Sequence, residues 1–185
     1  MTRVPLITDQ AGLERAGIEP SARDNLAWIA GSRGEVTRPF AVLLHRPELA
    51  RKVAELGATL RFDGLLRDDH RELAILATGC AHRCEFEWRS HRDIALAAGV
   101  RPDAVAALRA DADLSAFVGD ETVLVAFARE FVATSSVADA TFDAAHGLLG
   151  TAGVVELAAI VGYYSLMASV LNICAPTTPE RPIPS

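Results

Sequence analysis

Residues 71–100, RELAILATGCAHRCEFEWRSHRDIALAAGV, decide the fold of this chain. Three apolar residues recur at helical spacing in the first half of the stretch: Leu73, Leu76 and Ala77. The second half, residues 84–98, is a further helical run and ends at Gly99, a residue typical of the position after a helix C-terminus. The stretch therefore predicts two consecutive helices, joined by a tight connection near residues 79–83.

Helical patterns continue on both sides of this pair. Upstream, Pro47 suits a first helical position, and an amphipathic stripe follows it at spacings of four, three and four: Leu49, Val53, Leu56 and Leu60. Downstream, the chain predicts a short helix over residues 103–110 and a longer one over residues 121–134. Another helix is expected to end at Gly150. Since no stretch shows the alternation of a strand, the predicted fold class is all-α.

The last helical pattern, residues 156–174, is apolar almost all round, which predicts burial in the core or between subunits. The apolar run over residues 154–170 includes Glu156, Gly162 and Ser165, so we do not expect it to span a membrane. The opening residues MTRVPLITDQ lack the apolar segment of a signal peptide, and a cytoplasmic location is expected.

Composition limits the classes of function. The formal net charge is −6 and the only lysine is Lys52, whereas a nucleic-acid-binding protein needs a basic face. Half of the residues are hydrophobic, enough for one sizeable core.

We expect three segments: an N-terminal arm over residues 1–37, a helical domain over residues 38–176, and an extended tail over residues 177–185. The tail is assigned because four prolines lie within residues 175–185.

Four side chains that can take part in a reaction lie on the two helices of the deciding stretch: Glu72, Cys84, Glu87 and His91. The last three lie at i, i+3 and i+7 and so share one helix face. If the tight connection folds the first helix back, Glu72 faces the start of the second. A glutamate beside a histidine can act as an acid/base pair, and a cysteine in a first helical turn is favoured as thiolate by the helix dipole.

Structural explanations stand beside this hypothesis. Glutamate and histidine one turn apart are frequent on solvated helix faces, and a small buried cysteine is usually a packing residue. A metal set of Cys80, His82, Cys84 and His91 is disfavoured, because C-x-H-x-C matches no standard zinc spacing. We therefore predict no metal site.

The deciding stretch resembles the core motif of the carboxymuconolactone decarboxylase and AhpD-like superfamily. In the AhpD branch that motif is Glu, eleven residues, C-x-x-C, three residues and His. Glu72, Cys84 and His91 match the motif's Glu, first Cys and His, whereas Glu87 stands at the second Cys. Residues 44–66 and 153–176 also resemble family segments, so the likeness covers about residues 38–176.

The resemblance implies a helical bundle that assembles as a homo-oligomer, whether trimer, hexamer or dimer. Since Glu87 cannot form a disulfide, we predict no AhpD-type peroxidase cycle. The decarboxylase branch instead implies cofactor-free acid/base chemistry on a small organic acid or lactone, with Arg83 or Arg89 binding the substrate carboxylate. Two alternatives remain open: a peroxide-reactive protein that uses the Cys84 thiol, and a non-catalytic oligomeric binding protein on the same scaffold.

Overall fold

The computed structural model describes residues 2–19 and 22–177, without the side chain of Arg33. The predicted extended tail begins at residue 177, and its residues after Thr177 lie outside the described part of the chain. The described part of the chain contains no strand, so the all-α prediction is confirmed. Its α-helices are α1 Gln10–Arg15, α2 Arg23–Arg33, α3 Arg38–Leu43, α4 Pro47–Phe62, α5 Asp68–Ala81, α6 Glu85–Ala97, α7 Pro102–Arg109, α8 Asp120–Thr134 and α9 Asp139–Cys174.

The chain divides into two compact units, the first formed by Met1–Asp63 with Ser169–Thr177. In this unit α2 packs against α4. The Asn25 side-chain amide donates to Glu48 Oε1 at 2.7 Å, and the Arg51 guanidinium lies over the Trp28 ring at 4.7 Å. Residues of the predicted N-terminal arm therefore pack directly on α4.

Helix α4 begins at Pro47 as predicted, but its buried face differs from the predicted stripe. Leu49 and Leu56 are half-exposed, while the buried positions are Ala50, Val53, Ala54, Gly57 and Leu60. Small residues form most of this face because they let a neighbouring helix come close. The predicted stripe is therefore right at Val53 and Leu60 and wrong at Leu49 and Leu56.

The second unit, Gly64–Ala168, is organised around α5. This helix packs against α6, α7 and α8, and its residues from His70 to Cys80 are buried, except for Arg71. Burial on nearly all sides suits a helix rich in alanine, leucine and isoleucine. Leu73, Leu76 and Ala77, the predicted buried face, are among the core residues.

Helix α9 contains a break at Gly150, whose φ of 69° and ψ of 178° are not helical. The predicted stop at this glycine is therefore confirmed, and the second helical part begins directly after it rather than at Glu156. Within this chain the helix is not buried all round, because Val155 is 64% exposed and Leu166 is 42% exposed. The core therefore holds only part of it, and burial between subunits stays a prediction. By length and composition α9 meets the criteria for a membrane span, criteria that core helices of soluble proteins also meet.

Candidate active site

A tight turn between α5 and α6 brings the predicted site residues of both helices together. Arg83 adopts a left-handed backbone conformation with φ of 52°, and the Cys84 backbone N–H donates to Gly79 O at 2.8 Å. The two helices then approach so closely that a Cβ atom on Gly79 would lie 2.9 Å from Glu87 Cβ. A glycine at position 79 is therefore what allows α6 to fold back along α5.

His91 lies between two carboxylates in this turn-linked pair of helices. Its Nδ1 is 2.8 Å from Glu72 Oε2, a hydrogen bond, and its Nε2 is 3.7 Å from Glu87 Oε2. The three residues are almost completely buried, with exposed fractions of 1% for Glu72, 2% for Glu87 and 6% for His91. We call these three residues the Glu–His–Glu cluster. It contains three of the four residues singled out in the sequence: Glu87 and His91 lie on one face of α6, and Glu72 faces them from α5.

Two further side chains adjoin the cluster. The Tyr164 ring of α9 meets the His91 ring edge to face, with centroids 5.1 Å apart. The Arg71 side chain is 13% exposed, and its Nε lies 3.6 Å from Glu72 Oε1. The sequence reasoning assigned no role to Arg71; its only signal was its position next to Glu72.

Cys84, the fourth predicted residue, occupies the position before α6 rather than its first turn. Burial raises the pKa of its thiol to about 11, outweighing the hydrogen bonds from the Glu87 and Phe86 backbones that lower it. The expected preference for thiolate is therefore wrong, because desolvation exceeds the effect of the helix N-terminus. Cys80 is similar: burial raises the pKa of that thiol to about 12. Both cysteines are free thiols.

The arginines proposed to bind a substrate carboxylate are placed differently. Arg83 lies in the turn between the helices, and Arg89 Nε donates to Glu85 Oε1 at 2.9 Å. Glu85 is buried and also accepts from Arg109 Nη1 at 2.9 Å, which ties α6 to α7. The guanidinium of Arg109 in turn lies over the Trp88 ring. The sequence reasoning missed this buried carboxylate, since its partner Arg109 is distant in the chain.

The second unit also contains a polar cavity of about 220 Å³, near the N-termini of α5, α7 and α8. Its lining includes Arg67, His70, Arg101 and Asp120 and none of the four predicted site residues. His70 Nε2 lies 3.2 Å from Asp120 Oδ2, and the Arg101 guanidinium donates two hydrogen bonds to the Glu121 carboxylate. Its charges are thus largely paired with one another. Among the described residues, no group of three or more histidine, cysteine, aspartate or glutamate side chains is arranged to hold a metal ion.

Comparison with known proteins agrees with the sequence motif. Residues 47–130 match the sequence model of the Carboxymuconolactone decarboxylase family. No curated protein matches the chain significantly. Among solved structures, the fold resembles an alkylhydroperoxidase AhpD core, an uncharacterized peroxidase-related protein from Ralstonia eutropha JMP134. The TM-score is 0.72 at 22% identity, over 97% of this chain and 93% of that one. Residues 47–130 thus carry the sequence pattern of the Carboxymuconolactone decarboxylase family, and the chain has the fold of an AhpD core.

Proposed function

We propose that the protein is a cofactor-free acid/base enzyme that acts on a small organic acid or lactone as a lyase, isomerase or hydrolase. The observation that supports this proposal is the Glu–His–Glu cluster, in which one imidazole contacts two buried carboxylates. A general acid or base needs a proton-bearing group held at a defined position in a partly dry site. The cluster provides such a group at His91 Nε2 and Glu87.

The two carboxylates have different roles in this proposal. Glu72 accepts the hydrogen bond from Nδ1–H, which orients the ring and leaves Nε2 as the nitrogen that exchanges a proton. Glu87, whose Oε2 lies 3.7 Å from Nε2, is the second group that can carry a proton. In a decarboxylation, the C–CO₂ bond breaks, its electron pair remains on the substrate carbon, and the proton from Nε2 or Glu87 quenches the carbanion. Water then returns the proton to the site.

The test uses two substitutions at the proton-exchanging groups. Glu87→Gln and His91→Ala are each expected to lower kcat by at least about 100-fold, the usual contribution of general acid/base catalysis. Turnover is screened by NMR on a panel of small carboxylic acids and lactones, with circular dichroism as the check of folding. His146→Gln, at an exposed histidine that hydrogen-bonds to Thr151, is the matched control and should leave kcat unchanged. Full activity in both site variants would contradict the proposal.

Near-complete burial of the cluster favours a second candidate, a non-catalytic oligomeric binding protein in which Glu72, Glu87 and His91 stabilise the packing of α5 against α6. This candidate predicts that Glu87→Gln and His91→Ala lower the thermal stability without altering any turnover. The thiol-based alternative is supported less, because burial raises the pKa of the Cys84 thiol.

We also propose that the protein is a homo-oligomer. The exposed apolar side chains of α9, including Val155 and Leu166, support this proposal, since large apolar residues of a soluble chain are commonly covered by a partner.

A further inference from the structure

We propose that Arg71 is a positioning residue that holds the Glu72 carboxylate beside His91 and thereby fixes the tautomer of the imidazole. The Nε atom of Arg71 has an unusual environment. Arg71 Nε is buried and has no hydrogen-bond partner among the described residues. Buried donors without an acceptor are rare in folded proteins and call for an explanation. The nearest carboxylate oxygen with which it pairs is Glu72 Oε1, at 3.6 Å.

Glu72 divides its two oxygen atoms between two cationic or proton-bearing partners. Oε2 accepts from His91 Nδ1 at 2.8 Å, and Oε1 faces Arg71 Nε. The far end of the guanidinium is fixed, because Arg71 Nη1 contacts Asp68 Oδ1 at 2.9 Å, one turn earlier on α5. A contraction of a few tenths of an ångström would bring Nε within hydrogen-bond distance of Oε1. Arg71 thus stabilises the negative charge that holds the imidazole.

The groups around His91 show why this charge matters. From α5 the ring faces Glu72, with Arg71 behind it; from α6 it faces Glu87; and from α9 it faces Tyr164. The guanidinium is therefore a cation that offsets the Glu72 carboxylate beside the imidazole. Removing it leaves the Glu72 charge less neutralised, which favours a proton on the imidazole. Keeping it holds Oε2 of Glu72 against His91 Nδ1.

The effect of Arg71 on catalysis rests on the proposed acid/base function. Its effect on His91 can be tested without a substrate. Histidine titrations are followed by NMR on uniformly ¹⁵N-labelled full-length protein, and the His91 signal is identified by its loss in His91→Gln. In Arg71→Gln we expect the His91 midpoint to rise by about one pH unit, as a charge this close can produce. We also expect the ¹⁵N shifts to show a weaker preference for Nδ1–H. Arg71→Lys keeps the charge and should retain most of the wild-type midpoint.

His146, whose partner is Thr151, serves as an internal reference in each spectrum. If Arg71→Gln does not fold, Asp68→Asn carries the test. Asp68 holds the far end of the guanidinium, so its removal should loosen Arg71 and weaken the preference for Nδ1–H in the same direction as Arg71→Gln, by a smaller amount. An unchanged midpoint in the folded variants would overturn the proposal, as would equal shifts in Arg71→Lys and Arg71→Gln. If no substrate is turned over while these shifts occur, the proposed function fails and the role of Arg71 stands.

Discussion

At the scale of single residues, the Cys84 thiol shows how burial competes with a helix N-terminus. Two backbone N–H groups at the start of α6 favour its thiolate, but the surrounding apolar packing disfavours the charged form more strongly. Because the pKa rises from 9.0 to about 11, the thiolate fraction at a given pH below 9 falls by about 100-fold. The thiol is thus a packing group at neutral pH.

We predict that Cys84 of the folded protein reacts with iodoacetamide about 100-fold more slowly than an ordinary cysteine between pH 7 and pH 8.5, since the thiolate is the nucleophile. The rate should keep rising tenfold per pH unit beyond pH 9, where that of an unburied thiol levels off. Alkylation is measured by peptide mass spectrometry, with the less buried Cys174 as the reference in the same sample. Unfolding in urea should remove the difference. Rapid alkylation of Cys84 at pH 7 would contradict the prediction.

At the scale of helices, the contact between α5 and α6 depends on Gly79. Alanine is favoured over glycine inside a helix by about 1 kcal/mol, but a Cβ at position 79 would lie 2.9 Å from Glu87 Cβ. Because Glu87 Cβ is attached to the backbone of α6, the clash moves a whole helix. Overpacking of this kind costs about 1–3 kcal/mol, so the cost exceeds the gain in helix propensity.

We therefore predict that Gly79→Ala lowers the free energy of unfolding by about 1–2 kcal/mol and weakens the contact of His91 with Glu72. Urea denaturation measures the first effect, and the His91 titration by NMR the second. Gly147→Ala is the matched control: Gly147 is also helical, but a Cβ there would meet no atom within 4 Å. It should raise the stability by up to about 1 kcal/mol. A gain in stability from Gly79→Ala would show that α6 moves without cost.

Helix ends were predictable from the sequence because they depend on local backbone chemistry. Gly99 and Gly150 have positive φ angles, which favour glycine, and both interrupt helices where the sequence predicted. Burial was less predictable, since it depends on which helices meet. On α4 the small residues Ala54 and Gly57 are buried while Leu56 is half-exposed, an outcome that no periodicity of large apolar residues indicates.

The candidate site was likewise predictable where it depends on local spacing and not where it depends on packing. Glu87 and His91 share a helix face by spacing alone, and the tight turn that aligns Glu72 with them followed from the short connection after α5. The contacts of Glu85 with Arg109 and of Arg71 with Glu72 were not predictable, because they depend on side-chain directions and on distant packing.

At the scale of the whole molecule, the unusual feature is an apolar surface on α9. This helix has a mean hydropathy of 1.8 over its most apolar 18 residues, and only half of that window is buried within the chain. After Gly150, its exposed positions in the second unit include Ala152, Val155, Ala158, Ala159 and Leu166, with no charged residue among them. Glu156 instead accepts hydrogen bonds from the backbone of Leu65 and Leu66. A surface of this kind is costly in water and is typical of an interface.

The homo-oligomer proposal assigns this surface of α9 to a second copy of the chain. We predict that Leu166→Arg lowers the molar mass measured by light scattering after size exclusion, because an unpaired guanidinium cannot be buried at an apolar contact. Leu114→Arg is the matched control, since Leu114 belongs to the same unit and has nearly the same exposure, 40% against 42%. It should leave the mass unchanged. A monomeric wild-type protein, or an assembly that Leu166→Arg leaves intact, would contradict the prediction. Binding of the wild-type protein to lipid vesicles, lost in Leu166→Arg, would instead assign the surface to a membrane.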